Sequence, residues 1–95
     1  MQVKKIDENQ RKYVIEEISS SIISFLEDLV EEGKVRTYEL SIILSDDWPY
    51  MLEIDVSVSV NPFFEHEKAE IIEKALNIGL EKARKVLVKF GLHEF

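Results

Sequence analysis

Residues 51–60 alternate strictly between apolar and polar side chains. The apolar members are Leu52, Ile54, Val56, Val58 and Val60, and the polar members are Glu53, Asp55, Ser57 and Ser59. Successive side chains of a β-strand point to opposite faces, so this pattern predicts a strand with one face in a core and the other in water. A shift of its pairing by one residue would turn every apolar side chain to the wrong face. The alternation therefore constrains both the layers of the fold and the register of its sheet.

A partner strand is predicted from Val35 to Ser45. Its apolar members are Tyr38, Leu40, Ile42 and Leu44, and Thr37, Glu39 and Ser41 take the other face. The five residues that follow contain a proline and paired aspartates, a composition typical of a turn. Pairing Ser45 with Met51 places Leu44 opposite Leu52 and keeps every alternating apolar side chain on one face. The two segments are thus predicted to form an antiparallel hairpin in that register.

Two amphipathic helices flank the hairpin. The first is predicted from about Glu8 to Glu32, because apolar residues recur there every three or four positions. Asp7 and Gln10 stand in capping-box positions, and Gly33 is placed to stop the helix. Its apolar stripe consists of Val14, Ile15, Ile18, Ile22, Phe25, Leu26 and Leu29.

The second helix is predicted to begin at Asn61-Pro62, with Asn61 as the cap, and to run to about Phe90. Ala75, Gly79 and Ala83 are spaced by four, which predicts a strip of small side chains against which the first helix or the sheet packs closely. The chain should therefore form one α+β domain over residues 1–95, with a two-layer α-β-β-α order and both helices on one face of the hairpin.

Composition bounds the function classes. The chain has 95 residues, 45% of them apolar, and no cysteine. This is enough for one core and excludes disulfides and thiolate chemistry. A net charge of −7 repels phosphate backbones, so nucleic acid is an unfavoured partner. No apolar run is long enough to span a membrane, and we expect a cytoplasmic protein. The abundance of glutamate and lysine is typical of thermophilic proteins.

A two-stranded sheet has two free edges, and the end of the second strand carries no lysine, proline or other edge protection. Ser57 and Ser59 are the predicted contact residues there, with the Ser57 N–H taken as an edge donor. We expect two copies to pair at this edge, which would form a four-stranded sheet and a homodimer that acts through protein–protein interaction. The alternative is a short, twisted edge that stays monomeric.

The turn between the strands contains the aromatic residues Trp48 and Tyr50. Tryptophan and tyrosine dominate binding hot spots, so this tip is a candidate contact surface. The alternative is that the loop folds back over the core, together with Phe90 or Phe95.

A stripe along the second helix is both basic and apolar, comprising Ile71, Lys74, Ile78, Lys82, Lys85 and Lys89. Ile71 and Ile78 could contact a protein partner. Lys82, Lys85 and Lys89 could instead serve a nucleic-acid or ribosome-associated module. The stripe lacks the aromatic platform of single-strand binders, which favours a solubilising face.

His66 and Glu70 share one face of the second helix and offer a weak metal or hydrolytic site. The second histidine of a zinc-hydrolase helix is missing, and no histidine joins the serines of the sheet. The sequence therefore predicts no catalytic residue, no metal and no cofactor, and favours a non-enzymatic protein.

The run from Leu52 to Phe63, followed by a helix containing Glu-Lys-Ala-Leu and Leu-Glu-Lys-Ala, resembles a small archaeal family of unknown function. Members of that family share the order helix, two strands, a proline-bearing link and an alanine-rich helix. They are often encoded near the prefoldin β subunit. The resemblance implies an archaeal cytosolic protein and assigns no binding residue.

Overall fold

Two helices and one β-hairpin make up the fold, which is drawn from a computed structural model that describes residues 7–45 and 51–89. The elements are α1 (Glu8–Glu31), β1 (Val35–Leu44), β2 (Leu52–Val60), a 3₁₀ helix (Pro62–Glu67) and α2 (Lys68–Lys89). The predicted α+β arrangement of helix, strand, strand and helix is confirmed.

Both ends of α1 are capped as the sequence predicts. The Asp7 carboxylate accepts from the Gln10 N–H at 2.7 Å, and the Gln10 side chain accepts from the Asp7 N–H at 3.2 Å. At the other end Gly33 has φ +80°, and the N–H groups of Gly33 and Lys34 donate to carbonyls of the last turn. These bonds satisfy backbone groups that a helix end otherwise leaves unpaired, so α1 begins and stops where it does for local reasons.

The strands pair antiparallel in the predicted register. Leu44 lies opposite Leu52, Ile42 opposite Ile54, Leu40 opposite Val56 and Tyr38 opposite Val58. The Ser45 N–H donates to the Met51 carbonyl at 2.9 Å, which fixes the tip end of the ladder. The apolar pattern alone was sufficient to specify this register.

One irregularity in β1 was not predicted. The register shifts between Val35 and Thr37, so Arg36 is an extra residue that forms a β-bulge. Strict alternation would turn Arg36 towards the core and Val35 towards water. With the bulge, Val35 is buried and Arg36 is exposed. The extra residue thus keeps the charge out of the core.

The link into α2 differs from the prediction in its first turns. Asn61 is the cap, since its side chain accepts from the Phe63 N–H at 3.0 Å. The Phe64 N–H donates to the Asn61 carbonyl at 2.8 Å, a bond to the third residue back that defines 3₁₀ geometry. Regular α-helix begins only at Lys68.

The helices form one layer and the hairpin the other. α1 contacts α2 and β1, and α2 contacts β2. Gly79 lies where the two layers meet, because a Cβ built there would stand 2.7 Å from Ile22 Cδ1 and 2.9 Å from Ile54 Cδ1. The strip of small residues therefore packs against α1 and the sheet together. The buried core consists of Val14, Ile18, Ile22, Leu26, Val35, Leu44, Val58, Val60, Ile71, Ala75, Ala83, Val86 and Leu87.

Candidate interaction surface at the free edge of β2

The side of β2 that faces away from β1, here called the β2 edge, has no neighbouring strand among the residues that the structure describes. Hydrogen bonds at both ends of the hairpin show which backbone groups lie there. The Met51 carbonyl accepts from the Ser45 N–H, and the Asn61 N–H donates to the Lys34 carbonyl at 2.9 Å. Pairing alternates along an antiparallel ladder, so odd-numbered residues of β2 turn their backbone groups to β1. The even-numbered residues Leu52 to Val58 present theirs at the edge.

This alternation corrects one detail of the prediction, namely which residue of β2 is an edge donor. Ser57 lies opposite Glu39 and Ser59 opposite Thr37, so both serines bond to β1 through their backbones. Their side chains are exposed on the outer face of the sheet, the face turned away from the helices. The edge donors are the N–H groups of Ile54, Val56 and Val58. The sequence reasoning assigned the edge donor to the wrong alternate residue of β2.

The opposite side of the hairpin, the β1 edge, is protected in three ways. The bulge at Arg36 interrupts its regular spacing, and the Arg36 guanidinium places a positive charge beside it. The Tyr38 hydroxyl donates to a Glu27 carboxylate oxygen at 2.7 Å and so ties β1 to α1. This bond raises the pKa of the Tyr38 phenol above its ordinary value, with smaller contributions from desolvation and from the charge of Glu27. Bulges and charges are recognised means of blocking a sheet edge.

An apolar flank of α2 overlooks the β2 edge. Ile78, Lys82 and Lys85 line a shallow depression with Ser21 of α1, so that side of α2 faces α1. At 3.6 residues per turn, Leu76 and Leu80 lie on the opposite side of α2. Leu76 is half-buried and Leu80 is 41% exposed. Neither residue was predicted as a surface contact, although the apolar character of Leu80 away from the predicted stripe was a usable signal.

The stripe predicted on α2 is only partly a surface. Ile71 is 5% exposed and belongs to the core, because it lies one turn before Ala75 on the packed face of the helix. Its assignment as a surface contact is therefore corrected. Ile78 is half-buried and packs against the core. Lys74 and Lys85 each pair with a glutamate four residues earlier, at 3.4 and 3.5 Å, which weakens the stripe as a phosphate-binding surface.

His66 lies on the exposed 3₁₀ helix, with 76% of its side chain in solvent and Nε2 3.8 Å from a Glu67 carboxylate oxygen. Within residues 7–45 and 51–89, no group of three potential ligands is close enough to hold a metal ion. Glu67 is shared with Lys34, which stands 3.6 Å away and also over the Phe64 ring at 5.5 Å. These contacts join the 3₁₀ helix to the turn between α1 and β1.

Phe63 is a large exposed residue that the sequence analysis did not select. It is 84% exposed at the start of the 3₁₀ helix. Trp48 and Tyr50, the predicted contacts at the hairpin tip, lie outside the described residues. None of the helices that the structure describes is long and apolar enough to cross a membrane.

Comparison of the chain with protein-family models, with curated proteins and with solved structures gives no match. The resemblance to an archaeal family therefore stays a prediction.

Proposed function

We propose that this protein is a non-enzymatic interaction protein that binds another polypeptide by adding a strand at the β2 edge. The observation that carries the proposal is the contrast between the two sides of the hairpin. The β2 edge presents backbone donors and acceptors in a regular register, while the bulge at Arg36 interrupts the β1 edge and the Tyr38–Glu27 bond ties β1 to α1. Strand addition is a general mode of peptide recognition in which main-chain hydrogen bonds supply affinity.

The serines support this assignment. Ser57 and Ser59 are small and uncharged, and they flank the outward-facing N–H groups of Val56 and Val58 on the outer face. Natural sheets commonly place lysine or proline at such positions to prevent pairing. A strand that arrived at Val56 to Val60 would therefore meet neither a charge nor a missing donor on this face.

A second copy of the chain is one candidate occupant, and two copies would form the four-stranded sheet and homodimer predicted from the sequence. A twofold axis at Val56 would place Asp55 opposite Ser57 and Glu53 opposite Ser59 of the other copy. Each carboxylate would then face a hydroxyl, as Asp55 already faces Ser41 within the hairpin. This self-complementarity makes the homodimer the first assembly to test.

The test measures solution mass by light scattering for the wild type, Val56→Pro and Leu40→Pro. Val56→Pro removes a donor at the β2 edge and Leu40→Pro removes one at the β1 edge, and neither donor belongs to the hairpin ladder. A dimer that only Val56→Pro converts to a folded monomer would support the proposal. A dimer that survives Val56→Pro would contradict it. Circular dichroism confirms that each variant is folded.

The resemblance of β2 and α2 to the archaeal family suggests, within this proposal, that the protein works in the cytosol of an archaeon. Neither the basic stripe on α2 nor His66 gains support from the contacts described above. For this reason we do not extend the proposal to nucleic acid or to metal-dependent chemistry.

A further inference from the structure

A layer of two packed helices is generally wider than a sheet of two strands. Packed helices lie about 8–10 Å apart, while paired strands lie about 4.8 Å apart. The small residues of α2 permit the shorter helix spacing, with Gly79 in contact with α1. Even so, two centred layers place the axis of α2 about 1.6 Å outside the axis of β2. In this arrangement the side chains of Leu76 and Leu80 would overhang the position of the next strand.

This overhang discriminates between possible occupants. A second copy paired about a twofold axis would bring its own α2 to within about 2 Å of the first α2 in a flat sheet. The sheet would have to bend sharply between the two β2 strands to separate the two α2 helices. A lone extended segment brings no helix, so it fits between the β2 edge and the α2 flank without any bend.

The side chains around the position define the chemistry of such a segment. On the inner face it would lie beside Ile54 and Val56, which are half-buried, and beneath Leu80. On the outer face it would lie beside the carboxylates of Glu53 and Asp55, which are exposed. Directly opposed charges of opposite sign stabilise neighbouring strands, and like charges destabilise them.

We propose that the β2 edge takes an extended segment of a different protein, in which apolar side chains alternate with lysine or arginine. The inference rests on the proposed function and narrows it to one class of partner. The apolar residues would continue the core beneath α2, and the basic residues would face Glu53 and Asp55. The net charge of −7 would further attract a basic segment in solution.

Two nine-residue peptides test the proposal. In one, valine alternates with lysine and threonine, and in the other every lysine is replaced by glutamate. Binding is followed by fluorescence anisotropy at low and at physiological salt, and by amide exchange. We expect the lysine peptide to bind at least tenfold more tightly than the glutamate peptide. It should also slow exchange at Ile54, Val56 and Val58, whose N–H groups face the edge.

Variants locate the interaction and separate the two proposals. Val56→Pro should abolish binding of the lysine peptide and Leu40→Pro should leave it unchanged. Asp55→Ser should reduce the preference for lysine over glutamate several-fold.

Equal binding of both peptides at the β2 edge would overturn the charge assignment while supporting strand addition. A wild-type dimer that Val56→Pro dissociates, with no peptide binding, would overturn the inference and support the homodimer. Failure of both peptides with a monomeric wild type would overturn both proposals.

Discussion

The two edges of this hairpin are built from the same ladder but differ in how each is closed. Along β1 the bulge at Arg36 breaks the spacing, and the Tyr38–Glu27 hydrogen bond ties the strand to α1. Along β2 the register runs without a shift from Leu52 to Ser59, and the neighbouring serines carry no charge. Protection is therefore a property of individual residues on one strand, since both strands are equally exposed to pairing by topology.

This difference shows that the binding groups of a strand edge are found by asking which backbone N–H and C=O groups point away from the neighbouring strand. The exposed side chains do not identify them. Ser57 is the more prominent residue in the sequence, yet its N–H belongs to the hairpin. Val56 points its side chain to the inner face and its N–H to the edge. A binding surface on a strand is thus formed by residues whose side chains face elsewhere, and a search for exposed polar side chains does not find them.

The largest expected effect comes from placing proline at a residue of β2 whose N–H bonds β1, compared with a residue whose N–H faces the free edge. Ser57→Pro removes an N–H that bonds β1 and leaves the Glu39 carbonyl without its partner, which should cost at least about 2–3 kcal/mol of unfolding free energy. Val56→Pro leaves the ladder intact and should cost clearly less. Urea denaturation of both variants measures the difference. If Val56→Pro were the more damaging change, the assignment of the free edge would be reversed.

A second prediction concerns the helix spacing that sets the overhang above the β2 edge. Gly79→Val would drive a branched side chain into Ile22 and Ile54, and overpacking of this kind costs about 1–3 kcal/mol. Gly79→Ala should be nearly neutral, because better helix propensity of about 1 kcal/mol offsets the contact. Thermal denaturation provides the measurement.

Asn77→Val is the matched control for Gly79→Val, since Asn77 is exposed on the same helix. It introduces the same side chain without the contact. A loss of stability as large as that of Gly79→Val would show that the spacing between α1 and α2 does not depend on position 79.

A third prediction concerns the bulge at Arg36, which is present at the β1 edge and absent from the β2 edge. Deletion of Arg36 should restore regular alternation with Val35 still facing the core, so the expected change in stability is within about 1 kcal/mol. The straightened β1 edge should then pair with other chains, and assemblies larger than those of the wild type should appear in sedimentation velocity. Arg36→Ser removes only the charge and keeps the bulge. If both changes gave the same assemblies, the bulge would have no protective role.

Sequence reasoning predicted the elements and the register because both follow from local patterns. The period of two in β2, the period of 3.6 in the helices and the caps at Asp7 and Asn61 each specify their own segment. The bulge at Arg36 was not predictable in this way, since it is favoured only once Val35 can be buried against other elements. Likewise, Leu76 and Leu80 can be assigned to the flank of α2 that faces away from α1 only when the packing of the two helices is known.

The candidate surface likewise combines features that follow from local sequence patterns with features that depend on packing. The absence of charge at Ser57 and Ser59 predicts from the sequence that β2 is the unprotected strand. It misplaced Ile71, because a helix has several plausible apolar arcs and only packing selects one. The backbone phase of the edge depends on which hydrogen bond closes the hairpin at Ser45 and Met51, and side-chain alternation does not specify that bond.

The smallest expected effect tests the bond that ties β1 to α1. Tyr38→Phe removes the hydroxyl that donates to Glu27, and amide exchange at Leu40 and Ile42 on the β1 edge should rise towards the rates on the β2 edge. Tyr13→Phe is the control, because the Tyr13 hydroxyl donates to Glu17 of the same helix at 3.2 Å, so the variant should leave the β1 edge unchanged.

The hydrogen bonds of Tyr13 and Tyr38 both raise the pKa of their phenols. A raised pKa means that the stabilisation is complete below the unfolded value near 10 and is lost as pH rises through the folded value. Loss of the Tyr38 bond at alkaline pH should therefore accelerate exchange at the β1 edge of the wild type and of Tyr13→Phe, whereas Tyr38→Phe should show no such additional step. An equal alkaline step in Tyr38→Phe would show that this bond does not protect the edge.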